Sequence, residues 1–371
     1  MADETKVRVL YALGFLDMFA LSMFTPLLFD HLRSLEVSHF TIGLLGSVHS
    51  GIQLISAPII HTQTMSGSLL AEATSPDKLS EVQGRMASIG GMAFMIGPVI
   101  GGHLGEYQSG FQYLCYMVSL ALMLNFALVR FLLTNSTPQS HKKKKLPPQV
   151  AKKDTRKHKE ETSTSSEIFR ALTDLKNINW PLYWDIFAFK LLFDFTCGLH
   201  YQNFRIILMD LYNVSSTWVG YCMASMGLVG AATGFLNGQI SKLYKKDKSY
   251  GHKAFHMSIV FALSFILSGC APNLMVTVMS YLLLSICSSL LGVTISEIIL
   301  LRTAPDQRGS ILGTAQSIMS LSFLLTPISS GIVYEVYGHN GLSVLKVLTA
   351  TASLLFSLFL CRNKRDDKKK K

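Results

Sequence analysis

Apolar runs of about twenty residues recur along this chain, each ended by a short polar break. A helix that crosses a bilayer needs about 20 mostly apolar residues. Ten stretches meet that need: Val9–Phe29, Thr41–Ile60, Ala87–Leu104, Phe111–Leu133, Tyr183–Asn203, Trp218–Gly238, Ala254–Ala271, Leu274–Ser296, Ile311–Val333 and Leu342–Cys361. The residues between Ile60 and Ala87 are too polar for an eleventh. The pattern predicts an all-α polytopic membrane protein. One run is unusual inside: Met95–Glu106 reads MIGPVIGGHLGE, with a proline and several glycines, poor formers of a helix interior.

Composition agrees. The chain is 49% hydrophobic and 15% charged, against about 25% charged for a soluble protein. The formal charge of +11 sits in blocks, and its placement is topological. Short cytoplasmic loops keep Lys and Arg. With the N-terminus inside, the inside segments hold Lys6 and Arg8, Lys78 and Arg85, the Arg130–Lys176 region, Lys242 to Lys253, Arg302 and Arg308, and the tail from Arg362 to Lys371. The outside loops hold little beyond Arg33 and Arg205. Both termini are expected in the cytoplasm, with the lipid bilayer as partner and no nucleic acid. Residues 134–179 are polar, basic and Pro-containing, which reads as a solvated linker. They divide a helical half, 1–133, from a second half, 180–362, followed by a basic tail, 363–371.

The halves repeat each other. GFLD at Gly14–Asp17 lies over LLFD at Leu191–Asp194 at an offset of 177, which also sets Gly43 on Gly220. SPDKLSEVQGRMASI with GPVIGGHLGE matches APDQRGSILGTAQSI with TPISSGIVYE at an offset of 229, pairing Pro98 with Pro327 and Glu106 with Glu335. The offsets differ by 229 − 177 = 52 residues, the length of two spans and their loops. The first half therefore has four spans and the second six, two pseudo-repeat bundles with a seam near Ser56–Gly67.

Two halves that repeat in parallel, joined by a long cytoplasmic loop, resemble the major facilitator superfamily. Its proton-coupled drug antiporters carry a fifth-span motif G-x8-G-x3-G-P-x2-G-G. Gly84, Ala93, Gly97, Pro98, Gly101 and Gly102 match it in spacing, with Ala93 in place of one glycine. They also carry a first-span acid nine residues before a proline, as Asp17 and Pro26 do. The chain is similar to the tetracycline-resistance-like branch, in a form lacking about two helices of the first half. The branch's loop between spans two and three is absent after Ile60, and its second-half echo, GQISKLYKK at Gly238–Lys246, has Lys242 where the acid belongs. That loop locks the halves together in the family, so its absence bears on alternating access.

The resemblance implies secondary transport of a small organic solute, coupled to protons, by a chain that is no enzyme and holds no cofactor or metal. No oligomer is expected. A carboxylate in mid-span is costly and usually faces a cavity. Asp17 is a candidate proton acceptor or cation-site acid, its alternative being a helix-to-helix hydrogen bond. Lys190 and Asp194, one turn apart, can neutralise each other as a structural pair or yield one partner to solute or proton. Asp17 and Asp194 share a repeat position. His49 and Gln53 are further polar candidates, His49 as relay or packing residue. Gly84, Ala93, Gly97, Pro98, Gly101, Gly102 and Pro327 form the packing or gating motif. Six scattered cysteines read as small hydrophobes. Lys368–Lys371 is a candidate dilysine signal for endoplasmic reticulum retrieval, or simply positive-inside charge. The membrane is thus intracellular or the plasma membrane. The rival reading is a shortened form that does not transport and acts as an interaction partner or is degraded.

Overall fold

The computed structural model describes residues 2–35, 37–38, 41, 44–48, 79–135, 180–244, 247, 249–303 and 307–367. These residues form helices and no strand. In lipid every backbone amide must find its partner within the segment, and a helix supplies that partner locally. The helices are α1 (Ala2–Ser34), α2 (Leu79–Leu104), α3 (Gly110–Asn135), α4 (Trp180–Tyr212), α5 (Ser216–Leu243), α6 (Gly251–Gly269), α7 (Leu274–Arg302) and α8 (Arg308–Asp367). A further helical stretch covers 44–48. Helix α8 is two arms. Gly338 breaks it with φ 62°, a left-handed value that a Cβ would strain. Its 51-residue apolar stretch, Ile311–Cys361, is therefore two passes, as the sequence predicts.

Among the described residues five helices are long and apolar enough to cross a membrane: Gly110–Arg130, Ser216–Leu243, Gly251–Gly269, Leu274–Arg302 and Ile311–Cys361. The apolar part of α2 is the shorter Ser88–Leu104. Helices α1 and α4 fall below that standard, and they are the two that carry Asp17 and the Lys190–Asp194 pair. Most of the predicted second span, His49 and Gln53 included, lies outside the described residues, as do the linker and the terminal lysines.

The second half holds the main core. Phe189 and Phe193 of α4, Phe261 and Phe265 of α6, Leu284 and Leu291 of α7, and Ile311 of α8 pack together. In the first half, Met23 of α1 and Leu114 of α3 anchor a smaller cluster with Phe19, Phe24 and Phe111 around them. Helix α3 is only 11% buried over its apolar window, against 44% for α6 and for α7. By the repeat, α6 and α7 occupy the positions the first half would fill with the 52 residues it lacks.

The two ends of the second half differ in chemistry. At one end Arg302 grips Asp185 with both guanidinium nitrogens, at 2.5 and 2.9 Å, and Cys361 meets His252. Asp185 is thereby a buried ion-pair partner. At the other end Tyr334 donates to Asp210 at 2.7 Å and Tyr212 bonds Thr277 at 2.7 Å.

Candidate functional site

The halves meet along α2 and α5, which run side by side. Small residues set the distance. A Cβ on Gly220 would stand 2.5 Å from the carbonyl oxygen of Pro98, and one on Gly227 would stand 2.7 Å from the amide nitrogen of Met95. Glycines let membrane helices come this close, where dispersion and backbone contacts replace a hydrophobic driving force. Polar contacts line the same seam. Ser88 donates to Ala231 O at 3.3 Å, Thr217 donates to Glu106 at 2.5 Å, and His103 bonds Tyr221 at 3.0 Å. Contact thus runs from mid-helix to the end bearing Glu106 and Ser216.

A second meeting point lies at 44–48. Ser47 donates to Leu324 O at 2.8 Å, and a Cβ on Gly46 would lie 3.3 Å from Pro327. The two seams are related by the repeat. Helix α2 corresponds to the first arm of α8, and the segment beginning at Thr41 corresponds to α5. Pro98 against Gly220 therefore mirrors Pro327 against Gly46, within one turn.

The fifth-span motif divides its faces. Ala93 and Gly97 face α1: Ser22 donates to Ala93 O at 3.1 Å, and a Cβ on Gly97 would collide with Ser22 Oγ. Pro98 and Gly102 face α5. The motif's residues thus serve two neighbours, α1 and α5. Gly101 is buried and accepts from the amide of Gly105 at 2.9 Å. Gly84 lies in the first turns of α2.

Lys190 and Asp194 form the expected pair at 2.8 Å, with side chains 16% and 8% exposed. Their helix packs chiefly on α8, where Ser322 donates to Leu191 O at 3.1 Å. Asp17 is half-buried on α1, which packs on α2 and α3. Each carboxylate therefore stands on the first helix of its own half.

Three groups escaped the sequence reading. Lys253 is fully buried and gives its three N–H bonds to Asn237 (3.1 Å), Ser241 (3.0 Å) and Glu297 (3.2 Å). Asn237 and Ser241 flank and enter the degenerate loop echo, so that segment serves an internal ion pair. Asp247 supports it by accepting the amide of Lys253 at 3.0 Å, capping the bare first turn of α6. Lys346 and His200 are buried as well. For Lys346 and His200 the signal was present, since each is an ionisable group inside an apolar run, whereas Lys253 stands at the end of a basic loop.

Residues 61–252 match the Major Facilitator Superfamily. The chain is 22% identical to mouse solute carrier family 22 member 18 over 91% of its own length and 76% of that protein. It is 23% identical to the rat protein of the same name, over 81% and 68%. Among solved structures, the human organic anion transporter MFSD10 (TETRAN) superposes with a TM-score of 0.62 at 13% identity, covering 96% of this chain and 100% of that one. A bacterial homologue of the human lysosomal transporter Spinster, in an inward-facing and unoccupied conformation, gives 0.58 at 14% identity over 97% of each.

Proposed function

The chain belongs to the Major Facilitator Superfamily, and from that premise we propose that this multi-pass membrane protein is a proton-coupled secondary transporter of a small organic solute, of the drug:proton antiporter branch. The observation that carries the reading is the matched pair of carboxylates, Asp17 and Asp194, on the first helix of each half, with Lys190 beside the second. Proton or solute binding at Asp194 would release Lys190, and that change of charge is what couples occupancy to movement of one half against the other. His49 and Gln53 are further candidates in the second span. Gly84, Ala93, Gly97, Pro98, Gly101, Gly102 and Pro327 would set how closely the moving helices approach.

Basic residues mark the Arg302 end as cytoplasmic, with both chain termini on that side. The contacts Glu106–Thr217 and Ser47–Leu324 then lie on the outer side of the seam. One structural neighbour is described as an organic anion transporter, which puts organic anions first among solutes to test. In proteoliposomes loaded with a pH-sensitive dye, an organic-anion panel is expected to drive proton movement through the wild type. Asp17→Asn and Asp194→Asn are expected to abolish it. Unchanged proton movement in both variants removes these carboxylates from coupling.

A second reading is favoured by the thin cover on α3: a shortened form that folds without transporting and offers that helix to a membrane partner or to degradation. Solute flux by the purified chain would reject it.

A further inference from the structure

Away from the seam between halves, the second half encloses a cavity of about 540 Å³. Its walls come from the end of α4, the α6–α7 turn, α7 and the second arm of α8, and no Asp or Glu lines it. His339, Ser343 and Lys346 stand on one face of that arm, at the i, i+4, i+7 spacing of a helix. Asn273 faces them from the start of α7.

All four offer donors. Among the described residues, the side chains of His339, Ser343 and Lys346 have no hydrogen-bond or ion-pair partner. Asn273 uses its amide oxygen to cap α7, accepting from Val276 at 3.0 Å, and its NH2 is unspent. Lys346 is 4% exposed, so it does not snorkel to solvent. Behind the wall, outside the lining itself, lies His200. Its ring lies 4.6 Å from that of Tyr281, neither of its nitrogens has a partner, and it is within electrostatic reach of Lys346. A buried ammonium is costly without a counter-charge, and among the described residues no carboxylate lines this cavity. Lys190, Lys253 and Arg302 each have a carboxylate.

We propose that this cavity is a binding site for a small organic carboxylate, its charge held by Lys346, Ser343 and His339 and its carbon skeleton by Tyr281 and Leu211. One lysine matches one negative charge, and the lining holds no arginine, whose fork best fits phosphate. Ile207, Leu211, Leu274 and Tyr281 in the otherwise polar lining give a hydrocarbon body somewhere to pack, and the volume is that of a small-molecule pocket. The site is distinct from the Asp17–Asp194 region and does not depend on transport.

Benzoate is a suitable probe, with the purified full chain in detergent and binding read by calorimetry and melting temperature. Saturable binding to the wild type is expected. Lys346→Met should melt at or above the wild-type temperature without benzoate, since a buried charge is gone, and should bind benzoate at least tenfold more weakly. His339→Ala/Ser343→Ala should weaken binding by a smaller factor, and Asp17→Asn should leave it unchanged. Equal benzoate affinity in Lys346→Met and wild type would overturn the proposal. So would phosphate or chloride binding saturably where benzoate does not, or a wild type that binds none of the three. A wild type that binds benzoate yet moves no protons with any organic anion would count against the transport reading alone.

Discussion

Lys253 and Glu297 show what single residues cost and contribute inside this bundle. The pair is buried, at 0% and 7% side-chain exposure, and its value depends on completeness. Removing one partner of a buried pair strands the other and typically costs about 3–5 kcal/mol. Glu297→Gln is therefore expected to lower the melting temperature of the purified protein by several degrees. Lys253→Met/Glu297→Met should regain most of that loss, because two apolar side chains leave no stranded charge. A double variant as unstable as the single would assign the loss to packing instead. At this scale the sequence was half legible. Asp17, Lys190 and Asp194 stand out as charges in apolar runs. Lys346 and Glu297 carry the same signal, yet their runs are so apolar that the average conceals them. The Asp185–Arg302 pair was not legible, because its partners lie 117 residues apart in the chain.

Helices here are assembled by close approach more than by volume. Gly227→Leu would push α5 off the backbone of α2, a displacement no rotamer can relieve, since the opposing atoms are main chain. The expected result is loss of contact between halves with each half still helical. It can be read by oxidative cross-linking of Ser88→Cys/Ala231→Cys in a background without the native cysteines: efficient in the parent, reduced severalfold with Gly227→Leu. Equal cross-linking would mean this seam does not depend on the glycine. The helices themselves were legible, because an apolar run of this length has few other folds in lipid. Which face of α2 meets which neighbour was not. A four-residue spacing of small side chains groups Ala93 with Gly97, but it carries no information on whether α1 or α5 lies opposite.

For the whole molecule, the uneven core predicts uneven autonomy. In the second half five helical arms share one large apolar cluster and α5 packs in a smaller one beside it, while the described first half closes around Met23 and Leu114. Residues 180–367 expressed alone are expected to give a cooperative melt in detergent. Residues 1–135 alone are expected to melt without a clear transition, since the pair of helices that would cover α3 is missing from the repeat. Inserting two helices copied from the second half near Ser56–Gly67 should raise the melting temperature of the full chain. A drop would show that the seam is already closed by other means.

The sequence by itself determined that this is an all-helical membrane protein, that its halves repeat, and that the repeat is short by 52 residues. Those properties live in local composition and spacing, where each residue is read against its neighbours in the chain. Only the tertiary structure decided that the repeat yields two mirrored seams, Pro98 on Gly220 and Pro327 near Gly46, and that Ala93 and Gly97 serve α1 instead. It alone decided that Lys253 is neutralised by Glu297 while Lys346 faces a cavity with no acid. The physical reason is that a charge is paired or unpaired, and a small residue is an interface or a gap, according to what a distant helix brings within a few ångströms.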